Sequence, residues 1–383
     1  MPSVDLPIEL LRTILDKAVA QHSHPVDTGK HLSLVSRRPW RDLGQAIVWK
    51  GTPHASLTPT LLSHLASYPH LGRFVRYLTL RGGFGWDVNL DPERVIELCT
   101  GLQHVKLMLA AELTTRLIDA LVDAECTTSI QQFTLVPSGS YWHDFDLEQF
   151  LRTVSRMVNL QTLYIRVALL ELPDASLHDL SFPPTTPKLQ VTSLSFAERG
   201  PGASNWQLFR PLASLLQPSS LRSLQLESPS SSNSFLFPFL SQCISLERLS
   251  IIPTDTTIAA LLPSFSQILL HLHFLRHLKL PHGASTFCAD IDAPSMEEFV
   301  VFLESLGPML ESLEVEGLRS PKEAWTVLTG FLEKRREEAP LEQFRLLDIR
   351  LEKRRVTKEE RQNDDAFEWV RVFSPDPFFD LGY

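Results

Sequence analysis

Three stretches, LRSLQL (221–226), LERLSI (246–251) and LRHLKL (275–280), decide how this sequence folds. Each has apolar residues at its first, fourth and sixth positions and mostly polar residues between them. Successive side chains of an extended strand point to opposite faces, so the fourth and sixth side chains share one face. Each stretch therefore predicts a short strand that is apolar on one side.

The same apolar triad occurs ten times, and its first positions are separated by 25 to 35 residues. The triads are Val75-Leu78-Leu80, Leu102-Val105-Leu107, Ile130-Phe133-Leu135, Leu160-Leu163-Ile165, Val191-Leu194-Phe196, Leu221-Leu224-Leu226, Leu246-Leu249-Ile251, Leu275-Leu278-Leu280, Leu310-Leu313-Val315 and Phe344-Leu347-Ile349. A motif repeated at this period predicts a solenoid, in which each unit buries its apolar face by stacking on the next. An ordinary α/β domain of ten strands is the alternative, but it does not explain the nearly constant period.

Helical patterns follow several triads. Examples are DPERVIELCTGL (91–102), DFDLEQFLRTVSRMVNL (144–160) and KEAWTVLTGFLEKRREEA (322–339). The second has apolar residues at helical spacing, including Val158, and an aspartate, Asp144 or Asp146, placed to cap its first turn. The long interval before Leu310 predicts an extra helix or loop near 290–305. The sequence thus predicts an α/β fold with parallel strands inside and helices outside.

The repeats resemble leucine-rich repeats of the longer, helix-backed kind over roughly residues 70–352. That family usually carries Asn or Cys three residues after the last apolar position, where the side chain satisfies backbone groups of the turn. This chain has other residues there, for example Gly83, Ala110 and Ser138. Its turns must therefore be satisfied in another way.

The first fifty residues do not follow the repeat. LPIELLRTIL (6–15) and HLSLVSRRPWRDL (31–43) are apolar helical patterns in a segment too short to bury its own apolar surface. In this order, ahead of the repeats, they resemble an F-box. The resemblance implies binding to a Skp-type adaptor, and through it to cullin, by Leu6, Pro7, Leu10, Ile14, Leu15, Leu34, Val35 and Trp40.

The F-box resemblance also implies that the repeats hold a protein to be ubiquitinated, and that the chemistry belongs to other subunits of the ligase. The variable positions of the triad strands are expected on the inner, concave surface of the sheet. We predict that Arg81, Lys106, Tyr164 and Arg166 contact this unknown substrate. The alternative is a repeat scaffold or recognition protein whose N-terminal helices only cap the solenoid.

Composition and motifs argue against other classes of function. The net charge of −9 does not favour a nucleic-acid partner, and the four cysteines form no CxxC pair. The sequence has neither a secretory signal pattern nor a long uncharged apolar run, so we expect a cytoplasmic or nuclear protein without a membrane span. No motif indicates a catalytic residue, a metal site or a cofactor, and we expect a protein that is not an enzyme.

These patterns divide the chain into four parts. We predict an F-box-like helical segment over 1–50, a connecting helix or linker over 51–70, about ten repeats over 71–352, and a C-terminal capping helix and tail over 353–383. The last helix is predicted from a capping box, Thr357 with Glu360, followed by an apolar face of Phe367, Trp369, Val370 and Phe373.

Overall fold

The computed structural model describes residues 65–67, 69–81, 92–109, 111–136, 146–168, 186–199, 208–227, 235–252, 265–280, 296–307, 309–315, 327, 330–331, 343–346, 349–355 and 367–372. The predicted F-box-like segment, and the linker up to residue 64, lie outside these residues. The chain divides into two compact units, Met1–Tyr164 and Ile165–Tyr383.

Strands form at the first nine predicted triads, and three more strands follow. They are β1 Tyr77–Arg81, β2 His104–Met108, β3 Gln132–Leu135, β4 Thr162–Ala168, β5 Ser193–Arg199, β6 Ser223–Glu227, β7 Arg248–Ile252, β8 His277–Leu280, β9 Ser312–Val315, β10 Gln343–Leu346, β11 Ile349–Arg355 and β12 Phe367–Val372. The boundary between the two units falls within β4. In each unit the order of the strands in the sheet is their order in the chain, β1 to β4 in the first and β4 to β12 in the second. The pairs β1–β2, β2–β3 and those from β5–β6 to β9–β10 are parallel. The predicted α/β fold, in which parallel strands follow chain order, is confirmed.

Helices lie between the strands. They include α1 Pro92–Leu98, α2 Ala111–Asp123, α3 Leu147–Arg156, α4 Phe209–Leu215, α5 Leu236–Gln242 and α6 Met296–Ser305. Residues 265–269 are also helical. Asp146 caps α3 as predicted, because its carboxylate accepts a hydrogen bond of 2.9 Å from the backbone N–H of Gln149. Helix α6 lies where the extra helix or loop was predicted. One expectation was wrong: α3 ends at Arg156, and Val158, placed on its apolar face from sequence, is 53% exposed.

The triads build the core. Every described side chain of the first nine triads is at most 5% exposed. Aromatic residues of the helices pack on them: the rings of Phe133 and Phe150 are 6.4 Å apart, and those of Phe196 and Phe209 are 5.1 Å apart. Strands β1–β9 therefore bury one face beneath the helices, as the alternating pattern requires.

A tight turn precedes the strands. In seven triads the backbone N–H of the first residue donates to the carbonyl three residues earlier, as from Leu160 to Met157 at 2.9 Å. Backbone also comes close at Gly72, where an added Cβ would overlap the carbonyl oxygen of Leu98. A larger residue at this position would push the two backbone segments apart.

A backbone ladder then joins neighbouring repeats. The carbonyl that follows the first triad residue accepts two N–H groups from the next repeat: Arg276 accepts from Glu311 at 2.7 Å and from Ser312 at 2.9 Å. The same arrangement occurs at Arg76, Gln103, Gln131, Thr192, Arg222 and Glu247. On the strand-entry side, backbone groups thus satisfy one another without help from side chains.

The tenth triad lies three residues earlier than predicted. Strand β10 places Phe344 opposite Leu313, and Leu346 opposite Val315. Phe344 is therefore the second residue of its triad, not the first. The stretch LEQFRL (341–346) carries the repeat in place of Phe344-Leu347-Ile349.

The C-terminal capping helix was predicted wrongly at Phe367–Val372, which form strand β12. Strand β11 runs antiparallel to β10, and β12 runs antiparallel to β11, so the predicted end of the repeats at residue 352 falls inside a strand. An open sheet edge leaves backbone N–H and carbonyl groups unpaired, and added strands satisfy them as a helix cannot. The run FEWVRV (367–372) is rich in aromatic and β-branched residues, which favour strands.

Candidate recognition face of the sheet

The side chains between the triad residues form the second face of each sheet. In β2 and β6 buried and half-buried residues alternate strictly, and the half-buried ones lie opposite the helices. We call these the outward positions. Because they are partly accessible and vary from strand to strand, they are where this fold can contact another molecule.

In the first unit three outward side chains form a connected row. The Tyr77 ring stacks on the His104 ring, with centroids 4.4 Å apart and planes inclined by 22°. His104 Nδ1 lies 2.8 Å from Gln132 Oε1. An amide oxygen only accepts hydrogen bonds, so this contact places the proton of the ring on Nδ1. The row crosses β1, β2 and β3.

The next outward row of the first unit contains one lysine. Lys106 lies opposite Thr79 on one side and Thr134 on the other, and both threonines are 8% exposed. Among the residues that the structure describes, no carboxylate lies within ion-pairing distance of Lys106. The half-buried Lys106 side chain therefore brings a positive charge to a row of hydroxyl groups.

In the second unit two outward cations, Lys279 and Arg166, are paired with carboxylates. Lys279 lies opposite Glu314, and its Nζ is 3.0 Å from Glu314 Oε1. Arg166 of β4 reaches Glu227 of β6, with 3.5 Å between Nη2 and Oε2. Ala197 pairs with Glu227 in register, and a short side chain on the intervening strand leaves room for the guanidinium group.

Charged pairs also follow the strand-entry side of the second unit. Arg222 lies 3.5 Å from Glu247, and Arg276 lies 3.1 Å from Glu311. His277 Nε2 is 3.9 Å from the same Glu311. Burial, followed by the positive charge of Arg248, lowers the pKa of His277, although Glu311 opposes this shift. The imidazole is therefore held toward its neutral form beside the positive charge of Arg248.

The structure separates the predicted substrate residues by their surroundings. Lys106 is half-buried and lies apart from carboxylates, whereas Arg166 is paired with Glu227. Tyr164 is half-buried and lies two residues before Arg166 on β4. Arg81 ends β1, and its side chain lies outside the described residues. The predicted adaptor residues, from Leu6 to Trp40, also lie outside them.

Sequence reasoning missed the row of Tyr77, His104 and Gln132. These residues occupy the position just before the second apolar residue of their triads, whereas the predicted substrate residues come after the second or the third. Aligning this earlier position as well would have placed an aromatic, a histidine and an amide side by side. The Arg166–Glu227 pair was also missed, since 61 residues separate its members in sequence.

Within the part of the chain that the structure describes, three cysteines are buried and free: Cys99, Cys126 and Cys243. Burial raises the pKa of Cys99 and Cys243 to about 12, and that of Cys126 to about 11. A thiol that stays protonated is a poor nucleophile and a poor metal ligand. These side chains therefore belong to the core rather than to a reactive site.

Within the described ranges, no group of three or more His, Cys, Asp or Glu side chains is placed to hold a metal ion. In the same ranges no helix has the length and apolar character needed to cross a membrane.

Comparisons with known proteins add no identification. No protein-family model matches the chain, and no curated protein matches it.

Proposed function

We propose that this chain is a non-catalytic substrate-recognition subunit of a cullin–RING ubiquitin ligase of the SCF type. Its parallel strands would belong to a leucine-rich-repeat solenoid that holds the target protein. Its first fifty residues would act as an F-box that binds a Skp-type adaptor. The observation that carries the recognition role is the sheet face on which partly accessible, chemically varied side chains overlie a uniformly buried apolar face.

Such a sheet suits protein recognition because the residues of its buried face and of its outward face can vary independently. The apolar triads fix the position of each strand, and the outward positions do not take part in that packing. A row of outward side chains on adjacent strands is spaced by about 4.8 Å, so it presents an extended, regular surface. Aromatic and arginine side chains such as Tyr164 and Arg166 are the kinds that anchor protein interfaces.

The adaptor role rests on the F-box resemblance of residues 1–50. Leu10 and Ile14 lie four residues apart, at the spacing of one helix face. The resemblance assigns that face to the adaptor, which would bring the bound target close to the transferring enzyme and raise its effective concentration there.

Capture of a Skp-type adaptor tests this proposal. The wild-type chain should retain a purified adaptor on a resin, and the Leu10→Asp/Ile14→Asp variant should lose it, because two charges would replace apolar contacts. The same variant should still capture its target protein. Wild-type protein that fails to retain the adaptor would contradict the ubiquitin-ligase role and favour a scaffold whose N-terminal helices only cap the repeats.

Target capture is measured separately with Tyr164→Ala/Arg166→Ala. This variant should lose captured target while it keeps the adaptor. Glu227→Gln is the matched control for Arg166, because it breaks the same ion pair but leaves the arginine in place. Target capture that survives the double substitution would remove these two residues from the interface.

A further inference from the structure

We propose that the outward face of β1–β3 binds an anionic, extended peptide segment, with Lys106 as its charge anchor. The face consists of Tyr77, Thr79, His104, Lys106, Gln132 and Thr134, and we call it the Lys106 face. This inference deepens the proposed function, on which it rests, by stating the chemistry of the target that the repeats would hold.

The charge of the Lys106 face is the first argument. Its six residues include one cation and no carboxylate, and its neutral members carry hydroxyl, amide and imidazole groups. The whole chain is acidic, with a net charge of −9. The Lys106 face therefore departs from the sign of the protein as a whole, since it offers a cation and no carboxylate to an anionic ligand.

The second argument is the contrast between Lys106 and Lys279. Both occupy the outward position between the second and third triad residues, on β2 and β8. The next strand places Glu314 opposite Lys279, and the pair forms an ion pair of 3.0 Å. The next strand places Thr134 opposite Lys106. Lys106 therefore lacks the carboxylate that pairs with Lys279, and a carboxylate of a bound partner could take that place.

The form of the ligand follows from the two rows of the face. Tyr77, His104 and Gln132 form one row across three strands, and Thr79, Lys106 and Thr134 form the other. Each row crosses three adjacent strands, so the two rows fit an elongated segment lying across the strands. Stacking with Tyr77 and the hydrogen bond to Gln132 fix the His104 ring. A nucleic acid would require many more cations than this face has.

The test is binding of a fluorescein-labelled oligoglutamate peptide, followed by anisotropy at low ionic strength. A phosphoserine peptide of equal net charge is measured beside it, since carboxylates and phosphoryl groups offer the same anionic chemistry and the tighter ligand identifies the source. Wild-type protein should bind at least one of them, and added salt should weaken binding. An oligolysine peptide of equal length should not compete.

Matched substitutions locate the site. Lys106→Gln should weaken binding about threefold and Lys106→Glu roughly tenfold, as expected when one partly exposed ion pair is lost or reversed. Lys279→Gln, which removes the same charge from the equivalent position of β8, should change binding less than about twofold. Bound peptide should also protect Lys106, but not Lys279, from acetylation, which is read by mass spectrometry in the wild-type protein.

The outcomes separate this inference from the proposed function. If neither anionic peptide binds, or if Lys106→Gln and Lys279→Gln have equal effects, the Lys106 face is not an anion site, while adaptor capture remains valid evidence for the ligase role. If the peptide binds as expected but the adaptor is not captured, the result supports the Lys106 face as an anion site and contradicts the ligase role. The acetylation pattern decides the matter even if a Lys106 variant fails to fold.

Discussion

Lys106 on β2 and Lys279 on β8 hold the same place in their repeats, yet only Lys279 has a carboxylate opposite it. The strands beneath them are alike: Leu107 is 0% exposed and Leu280 is 2% exposed. The repeat therefore fixes where an outward side chain stands but does not fix what it meets. The neighbouring strand decides that, through a single residue, Thr134 or Glu314.

The largest expected effect is on stability, and it tests whether β2 and β8 are buried alike. Leu107→Ala and Leu280→Ala should each lower the free energy of unfolding by about 2–5 kcal/mol, because each removes a buried side chain and leaves a cavity. Urea denaturation measures both. Lys106→Gln and Lys279→Gln are the surface controls and should each cost less than about 1 kcal/mol. A leucine variant that costs no more than its neighbouring lysine variant would show that its strand does not bury the triad.

A second prediction concerns the buried thiols, of which the described part of the first unit holds Cys99 and Cys126 and that of the second holds Cys243. Burial raises their pKa values to about 12, 11 and 12 from the ordinary value of 9.0. The folded state therefore keeps protons that the unfolded state releases. This stabilisation is complete below pH 9 and is lost as the pH rises from there toward the folded values.

Two measurements check the thiol prediction. At neutral pH a thiol reagent should label these three cysteines only after denaturant is added, as located by mass spectrometry. The free energy of unfolding should fall above pH 9, and a variant with all three cysteines changed to alanine should show a smaller fall. Labelling of Cys99 in the native protein at the rate of an unfolded peptide would contradict the assigned burial.

The smallest effect is the ion pair itself. A double-mutant cycle of Lys279→Gln with Glu314→Gln should give a coupling free energy of up to about 1 kcal/mol, reduced by salt, because both groups are partly exposed. The equivalent cycle of Lys106→Gln with Thr134→Val should give a coupling near zero. Equal couplings in the two cycles would remove the contrast between the two regions.

Much of the fold could be predicted because the triad is a direct physical signal. Leu246, Leu249 and Ile251 are spaced as a strand that buries one side, and the structure buries all three. The tenth triad shows the limit of that signal. The stretch LEQFRLLDI (341–349) contains two overlapping triads, at Leu341 and at Phe344, and only pairing with β9 selects between them.

The C-terminal end was less predictable for a related reason. Phe367, Trp369 and Val370 fit one face of a helix about as well as they fit a strand, so local spacing does not decide. What decides is the exposed edge of the sheet, which pairs with β11 and then β12. That edge is a property of the assembled sheet and is absent from any short window of sequence.

The candidate site was also predictable in part: the direction of its side chains could be predicted, but their surroundings could not. That Lys106 and Arg166 point away from the core followed from strand alternation alone. Their surroundings depend on register between strands, which brings Arg166 to Glu227 across 61 residues of sequence. Once the strands are aligned, the small residue Ala197 between them makes that contact foreseeable.

The backbone carbonyls that each accept two N–H groups from the next repeat suggest how this chain could be engineered. Because main-chain groups join consecutive units at these seven junctions, each junction should tolerate a change of side chain. Past the other end of β6 the sequence reads SPSSSNS (228–234), a polar stretch. An epitope tag or a circular-permutation break should therefore be accepted between 228 and 234, past the end of β6, and rejected at the turn that leads into the next strand.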